Sequence, residues 1–336
     1  MRLEPLPRRG PPTHSDDAFG PYHRVMDPVY LLLEIAAAAF FVLAAWLALR
    51  RGRLPFLELI SAAMFGLLLE EGDQLIFETY NYADAWILSI DRAPIVIGLT
   101  WALIIAGAMR ITDALGVRRR WAPFVDSVLA IMLDLAFDAI AIRMGLWTWR
   151  EVGAADGWFG VPAGNFYAWL FVTWAFSFVS RWLRDASAQR RPAFELLQLV
   201  LPIPAFVLLL VSLVPFTVLQ PLVDPTPGGG MVLFVITLIA FLGAAAWGVA
   251  GPGRGTPDGS AIAILDLRLA FGTRVAIHLF FLAALFGLGL HASEPMLLIV
   301  ALLFLGAELP LGVTVERRRS MRRAVIAPRP QAERAN

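Results

Sequence analysis

From Val29 to about residue 315 the chain repeats apolar runs of spanning length, at about 29–49, 56–77, 93–110, 123–143, 161–182, 195–219, 231–250, 271–290 and 295–315. A helix needs about 20 such residues to cross about 30 Å of hydrocarbon. Prolines at 123, 162, 192, 221 and 295, with glycine-rich stretches at 228–230 and 251–259, fall near the run ends and punctuate them. The pattern predicts an all-α fold, a polytopic integral membrane helical bundle of eight or nine transmembrane helices occupying residues 29–316. Residues 1–28, with six prolines and four arginines, read as a disordered or interfacial tail. Residues 317–336 read as a basic cytoplasmic tail.

Charge is scarce and unevenly placed. Only 16% of the 336 residues are charged and 58% are hydrophobic, against about 25% charged in an average soluble domain, which excludes an ordinary soluble enzyme. All 28 basic residues are arginine and the 27 acids leave a net charge of +1. Such a balance sets up no field that would draw in nucleic acid, so the partner composition points to is the lipid membrane. With no cysteine, a disulfide, a thiolate metal site and a cysteine nucleophile are all excluded.

The arginines mark orientation. Connections at 50–55, 110–120, 181–194 and 251–274 and the C-terminal tail carry 3, 4, 4, 3 and 7 of them, whereas those at 78–92, 143–160, 220–230 and 291–294 carry 1, 2, 0 and 0. By the positive-inside rule this alternation predicts nine helices with the C-terminus cytoplasmic. The four N-terminal arginines run against that alternation and leave open an eight-helix version with that tail inside.

The acids do not follow this division. The run 123–143 holds Asp126, Asp134 and Asp138. Three aspartates at helix centre cost about 9 kcal/mol on the insertion scale, and about ten large apolar residues return only about 5 kcal/mol. Their helix therefore has to face other helices or a wet cavity. Asp134 and Asp138, four residues apart, share one face, and Asp126 is rotated about 80° from them. Either the acids glue helices together, with Arg143 a partner for Asp138, or they form a functional site. The preceding run ends in Glu70-Glu71-Gly72-Asp73. If the helix stops at Gly72 these acids are merely interfacial; if it continues toward Ile76, Glu70 and Asp73 share a face at the membrane edge and Glu71 points elsewhere.

Aromatic rings crowd the connection after Asp138, in Trp147-Thr148-Trp149 and in Trp158-Phe159-Gly160-Val161-Pro162 leading to Asn165, Phe166 and Trp169. An interfacial belt accounts for the tryptophans but not for Asn165 in the first turn of a spanning helix. Rings beside buried acids suit an apolar substrate on which positive charge develops. His278 and His291 stand thirteen apart and off one face, and neither a metal pattern nor a phosphate-binding loop is present in the sequence.

In order along the chain, Glu71-Gly72, Phe77-Glu78-Thr79-Tyr80-Asn81-Tyr82, Pro94, Trp101, the pair Asp134 and Asp138, Trp147 and Trp149, and Phe159-Gly160-Val161-Pro162 with Asn165, Phe166 and Trp169 form a series. That series, over about 70–184, resembles the membrane carotenoid-biosynthesis family that includes bisanhydrobacterioruberin hydratases and lycopene-type 1,2-hydratases. Glu78, Ala139 and Ala168 depart from it, where a glycine, a proline and a glycine are usual.

The resemblance implies hydration of a terminal isopropylidene of an acyclic carotenoid held in the bilayer of a prokaryotic inner membrane, without cofactor or metal, alongside other carotenoid-pathway enzymes. A carboxyl kept from water can stay protonated near neutral pH and donate to an alkene. Asp134 or Asp138 is then the general acid, with the other, or Glu71 or Asp73, orienting water. Trp147, Trp149 and Trp169 would wall the cation, with Tyr80, Tyr82, Trp101 and Phe159 as further binding positions and Asn165 holding a water or an acid in register. The same acids are compatible with a magnesium-dependent intramembrane prenyltransferase, a proton-coupled transporter or a pigment-binding subunit.

Overall fold

A computed structural model describes residues 23–189, 192–251, 253 and 258–326. Among these, nine long helices are present: α1 (His23–Arg51), α2 (Arg53–Gly72), α3 (Ile95–Leu115), α4 (Ala122–Arg143), α5 (Ala163–Gln189), α6 (Pro202–Val223), α7 (Met231–Ala250), α8 (Ala261–Gly287) and, after the one-turn α9 (Leu290–Ser293), α10 (Pro295–Ile326). The described residues are 79% helical, an all-α membrane bundle. Six of the helices, α1, α3, α6, α7, α8 and α10, are long and apolar enough to cross a membrane. The remaining three, α2, α4 and α5, hold Glu70, the aspartate pair and Asn165. Residues 1–22 of the N-terminal tail and 327–336 of the C-terminal tail lie outside the described residues, whereas 23–28 and 317–326 continue α1 and α10.

Helix boundaries follow the punctuation. Pro123 opens α4 and Pro202 opens α6, where a missing amide hydrogen is harmless. Gly116, at φ 71°, closes α3, its N–H donating to the Asp113 carbonyl. Several runs depart from their predicted limits, with α5 running on to Gln189 and α10 to Ile326. The 195–219 run divides into a 3-10 segment, Pro192–Val200, and α6. Helix α8 begins at Ala261, ten residues before the predicted 271, because Asp266 is neutralised by Arg51 at 2.5 Å and Arg110 at 2.9 Å and so can lie within the bundle.

Helix α3 is the centre. Its faces are covered by α1, α2, α4, α8 and α10, and Ala102, Ile105, Ala108 and Ile111 are wholly buried. Helices α2 and α3 approach closely at Gly66, where a Cβ would meet the Trp101 Cβ at 2.6 Å. Around them α6, α7 and α10 turn valine, isoleucine and leucine outward, as at Val207, Val211, Val214, Ile236, Ile239 and Leu303. That surface suits lipid tails, which are as apolar as the side chains themselves.

One end of the bundle is tied by ion pairs. Glu58 of α2 accepts from Arg184 of α5 through Oε2 at 2.7 Å, with Arg110 of α3 at 3.7 Å. Asp126 of α4 accepts from Arg181 at 3.0 Å and from Ser177 at 2.5 Å. Asp126 thus belongs to a structural clasp, rotated and displaced from the aspartate pair as its position on the helix requires.

The opposite end carries the short strands. Strands β1 (Tyr80–Tyr82) and β4 (Trp147–Trp149) pair antiparallel, Tyr80 opposite Trp149 and Tyr82 opposite Trp147. Strands β2 (Ser89–Ile90) and β3 (Ala93–Pro94) form a second small ladder before α3. Because side chains alternate along a strand, the register puts both tyrosines and both tryptophans on one face and Asn81 and Thr148 on the other.

Candidate active site

Between this end and the middle of the bundle lies a cavity of about 1220 Å³, above the usual range of about 300–1000 Å³ for small-molecule sites. Its walls come from α1 (Leu33, Ala37, Phe40), α3 (Ile97, Trp101, Ile104), α8 (Ile277, Phe280, Phe281) and α6 (Leu213, Val214, Phe216). The rim is polar, with Glu78, Thr79, Arg150 and Thr226.

On the α4 wall the i, i+4 spacing does what it predicts. The Asn165 side-chain amide, at the start of α5, donates to Asp138 Oδ2 at 2.6 Å and to Asp134 Oδ2 at 3.0 Å. Trp147 Nε1 donates to Asp138 Oδ1 at 2.9 Å. Both aspartates are almost wholly buried, and Asp134 Oδ1 has no hydrogen-bond partner. Asn165 therefore holds two acids rather than one acid or a water. Arg143 is not the partner of Asp138. It turns to Glu294 at 2.9 Å and to the Phe159 carbonyl at 2.6 Å.

A second carboxyl station faces the same cavity. Helix α2 does not end at Gly72 but runs on through a wider π-helical turn, Asp73–Phe77, until Glu78 takes the left-handed conformation at φ 50°. Glu70 accepts from Tyr80 and Tyr82 hydroxyls through Oε2, the latter at 2.5 Å, and from Trp101 Nε1 through Oε1 at 2.6 Å. Asp73 lines the cavity near its rim and accepts from Thr79 Oγ1 at 2.8 Å, which anchors the start of β1. Glu71 points elsewhere, as helical geometry predicts. Its Oε1 accepts from the backbone amides of Arg92 and Ala93 at 3.2 and 2.9 Å, outside the cavity, so it braces the β2–β3 segment.

The aromatic positions divide in the same way. Tyr80, Tyr82, Trp101, Trp147, Trp149 and Trp169 line the cavity. Trp101 and Trp169 lie with ring centroids 4.1 Å apart, and Phe137 stands edge-on to Trp169 at 5.9 Å. Phe159 is not on the wall; it packs edge-to-face on Trp158, and its carbonyl accepts from Arg143. Sequence reasoning missed Phe137, stacked on Phe281 at 4.8 Å, and Trp86. Phe137 lies one residue before Asp138 and had the spacing to be found; Trp86 sits in a connection without periodicity.

Polar atoms without protein partners gather here. Besides Asp134 Oδ1 they are Nε1 of Trp86 and Trp149 and the Thr273 hydroxyl, all on residues lining the cavity. Buried polar atoms are normally paired, so these mark where a polar group or water finds partners. Among the described residues no group of three or more histidine, aspartate or glutamate side chains converges as a metal site.

A family model described as "carotenoid biosynthesis protein" matches residues 26–236 of the chain, more than half its length. The chain belongs to the carotenoid biosynthesis protein family. No curated protein and no solved structure matches it. The family match runs beyond residues 70–184 at both ends, taking in most of α1, all of α6 and the start of α7. Every helix that presents a carboxyl to the cavity falls inside it, as does α6. Only the α8 wall, with Thr273, Ile277 and Phe281, is contributed from beyond residue 236. The carotenoid biosynthesis role, the multi-pass helical fold and the apolar cavity thus agree with one another.

Proposed function

We propose that this carotenoid biosynthesis protein adds water across the terminal isopropylidene of an acyclic carotenoid. The observation that carries the reading is the Asp134–Asn165–Asp138 arrangement on the wall of a largely apolar cavity, with one Asp134 oxygen left without a partner.

The chemistry needs a proton donor, a place for a tertiary cation and a water. One of the two aspartates, carrying a proton, transfers it to the CH carbon of the R–CH=C(CH3)2 end. The π electrons form the new C–H bond and leave the positive charge on the adjacent carbon bearing two methyls. The faces of Trp169, Trp101 and Phe137 stabilise that charge, since an aromatic ring attracts a cation over its face by about 0.5–2 kcal/mol. Water adds to the cation, and a carboxylate takes the proton released, so the acid is restored and one water has been added. Asn165 keeps both carboxyls in register, and Asp134 Oδ1 is the free acceptor in reach of a water.

The walls support substrate access from lipid. Exposed apolar side chains of α1 and α6 line the cavity, so a polyene passes between helices without crossing the polar rim. The polar rim, with Glu78, Thr79 and Arg150, is the side suited to admit water. By the positive-inside rule, the arginine-rich end and the C-terminus are cytoplasmic and the cavity opens toward the other face. The substrate and, near it, other enzymes of the same pathway are the partners.

Comparing wild type with Asp134→Asn and Asp138→Asn tests the assignment. Loss of water addition of roughly 100-fold or more is expected for at least one, the size usual for an acid–base residue. Wild-type hydration by both variants overturns it.

A further inference from the structure

A second cavity, of about 560 Å³, lies at the arginine-rich end and is lined by Arg118, Arg119, Arg120, Pro123, Phe178 and Arg181. Four of its six lining residues are arginine, and their charges are not equally available. Arg181 is held by Asp113 and Asp126, and Arg119 by Asp185. Among the described residues Arg118 and Arg120 form no ion pair. Arg118 Nε is buried without a hydrogen-bond partner, and the Arg120 guanidinium lies over the Trp121 ring, 5.2 Å from its centroid.

The cavity also has an apolar side. Phe178, which lines it, stacks on Trp174 one helical turn deeper in α5, at 5.4 Å and 13° between ring planes. Phe178 and Trp182 are 47% and 56% exposed on the outer surface of the bundle. Trp174, Phe178 and Trp182 are spaced four apart and so form a stripe along one face of α5. A molecule that meets two free guanidinium groups and then this stripe is itself an anion with an apolar tail.

We infer that this cavity binds an anionic membrane phospholipid, its phosphate between Arg118 and Arg120 and an acyl chain along Phe178 and Trp174. Guanidinium forks match phosphate oxygens in geometry and stay charged at any accessible pH. Basic pockets between membrane helices on the cytoplasmic side are suited to anionic headgroups. A freely dissolved anion would use the arginines but leave the aromatic stripe without a role.

Native mass spectrometry of the detergent-solubilised full chain tests the site, with phosphatidylglycerol and phosphatidylcholine of matched acyl chains as probes. Phosphatidylglycerol is expected to be retained about 10-fold better, a difference of about 1.4 kcal/mol. Arg118→Gln and Arg119→Gln remove the same formal charge, but only the first removes an unpaired one. Retention is expected to fall several-fold in Arg118→Gln and to stay within about twofold in Arg119→Gln. Phe178→Ala, which leaves every charge in place, is expected to lower it too. Equal retention of the two lipids by wild type overturns the proposal, as do equal losses in the two arginine variants. Complete displacement of phosphatidylglycerol by millimolar inorganic phosphate assigns the site to a dissolved anion and also overturns it.

Discussion

The Asn165 amide nitrogen on α5 stands 2.6 Å from Asp138 Oδ2 on α4. The same nitrogen reaches Asp134 at 3.0 Å, so one neutral side chain fixes the separation of two carboxyls and the packing of two helices at once. Replacing it by Leu keeps the volume and removes both bonds. Hydration is expected to fall roughly 100-fold in Asn165→Leu, near the range for loss of a positioned acid–base group. Product formation in isolated membranes, at expression levels matched to wild type, measures it.

Glu70 and Glu71 are neighbours with different work. Glu70 accepts three side-chain hydrogen bonds at the cavity, and Glu71 two backbone ones outside it. Glu70→Leu is expected to abolish hydration and to leave the two hydroxyls and the indole N–H unpaired, at about 1–3 kcal/mol each. Glu71→Gln is expected to keep hydration within about threefold while lowering thermal stability by about 1 kcal/mol through its weakened backbone bonds. Parallel activity and unfolding measurements on both variants separate the roles.

That contrast also marks how far the sequence was legible. Helical spacing placed Glu70 and Asp73 on one face and Glu71 off it, whereas the resemblance to a family pattern favoured Glu71. The aspartate pair was legible because four residues is a fixed offset on a helix, and Asn165 because its polarity conflicts with its place in a spanning helix. Pairing between β1 and β4 was not: Tyr82 and Trp147 are far apart in sequence, and nothing local sets their register. The early start of α8 was hidden for the same reason, because Asp266 is tolerable only once Arg51 and Arg110 are beside it. Phe159 looked like a wall residue by its neighbours, yet its main chain, not its ring, has the defined polar role.

Burial, and secondarily the adjacent Glu70 carboxylate, hold the Tyr80 and Tyr82 hydroxyls well above the ordinary phenol value of 10.0. A group whose value is raised by folding contributes stability below its unfolded value and loses that contribution as pH rises toward its folded one. Stability is therefore expected to be flat with respect to these tyrosines up to about pH 10 and to fall above it. The fall should be smaller in Tyr82→Phe. Unfolding midpoints of the two proteins between about pH 8 and pH 11 supply the comparison.

Glu58 is buried between Arg184 and Arg110 at the clasp. Glu58→Leu leaves the buried Arg110 and the partly buried Arg184 guanidinium groups short of a partner and is expected to destabilise the bundle by about 3 kcal/mol. Restoring part of that loss by the further change Arg184→Met, whose other partner Asp113 keeps Arg181, read as a double-mutant cycle in thermal unfolding, would show that the cost comes from unpaired charge.

Water added to a carotenoid end carries its oxygen into the product, which labelled water reads out. Membranes containing the protein, given an acyclic carotenoid with isopropylidene ends in oxygen-18 water, are predicted to yield a product heavier by one labelled water per reacted end, the label lying in a tertiary hydroxyl. The product should form without added cofactor and disappear in the Asp134→Asn, Asp138→Asn double variant. Recovery of unchanged carotenoid across several acyclic substrates, or a product altered by loss of hydrogen or gain of a prenyl unit, would overturn hydration as the reaction.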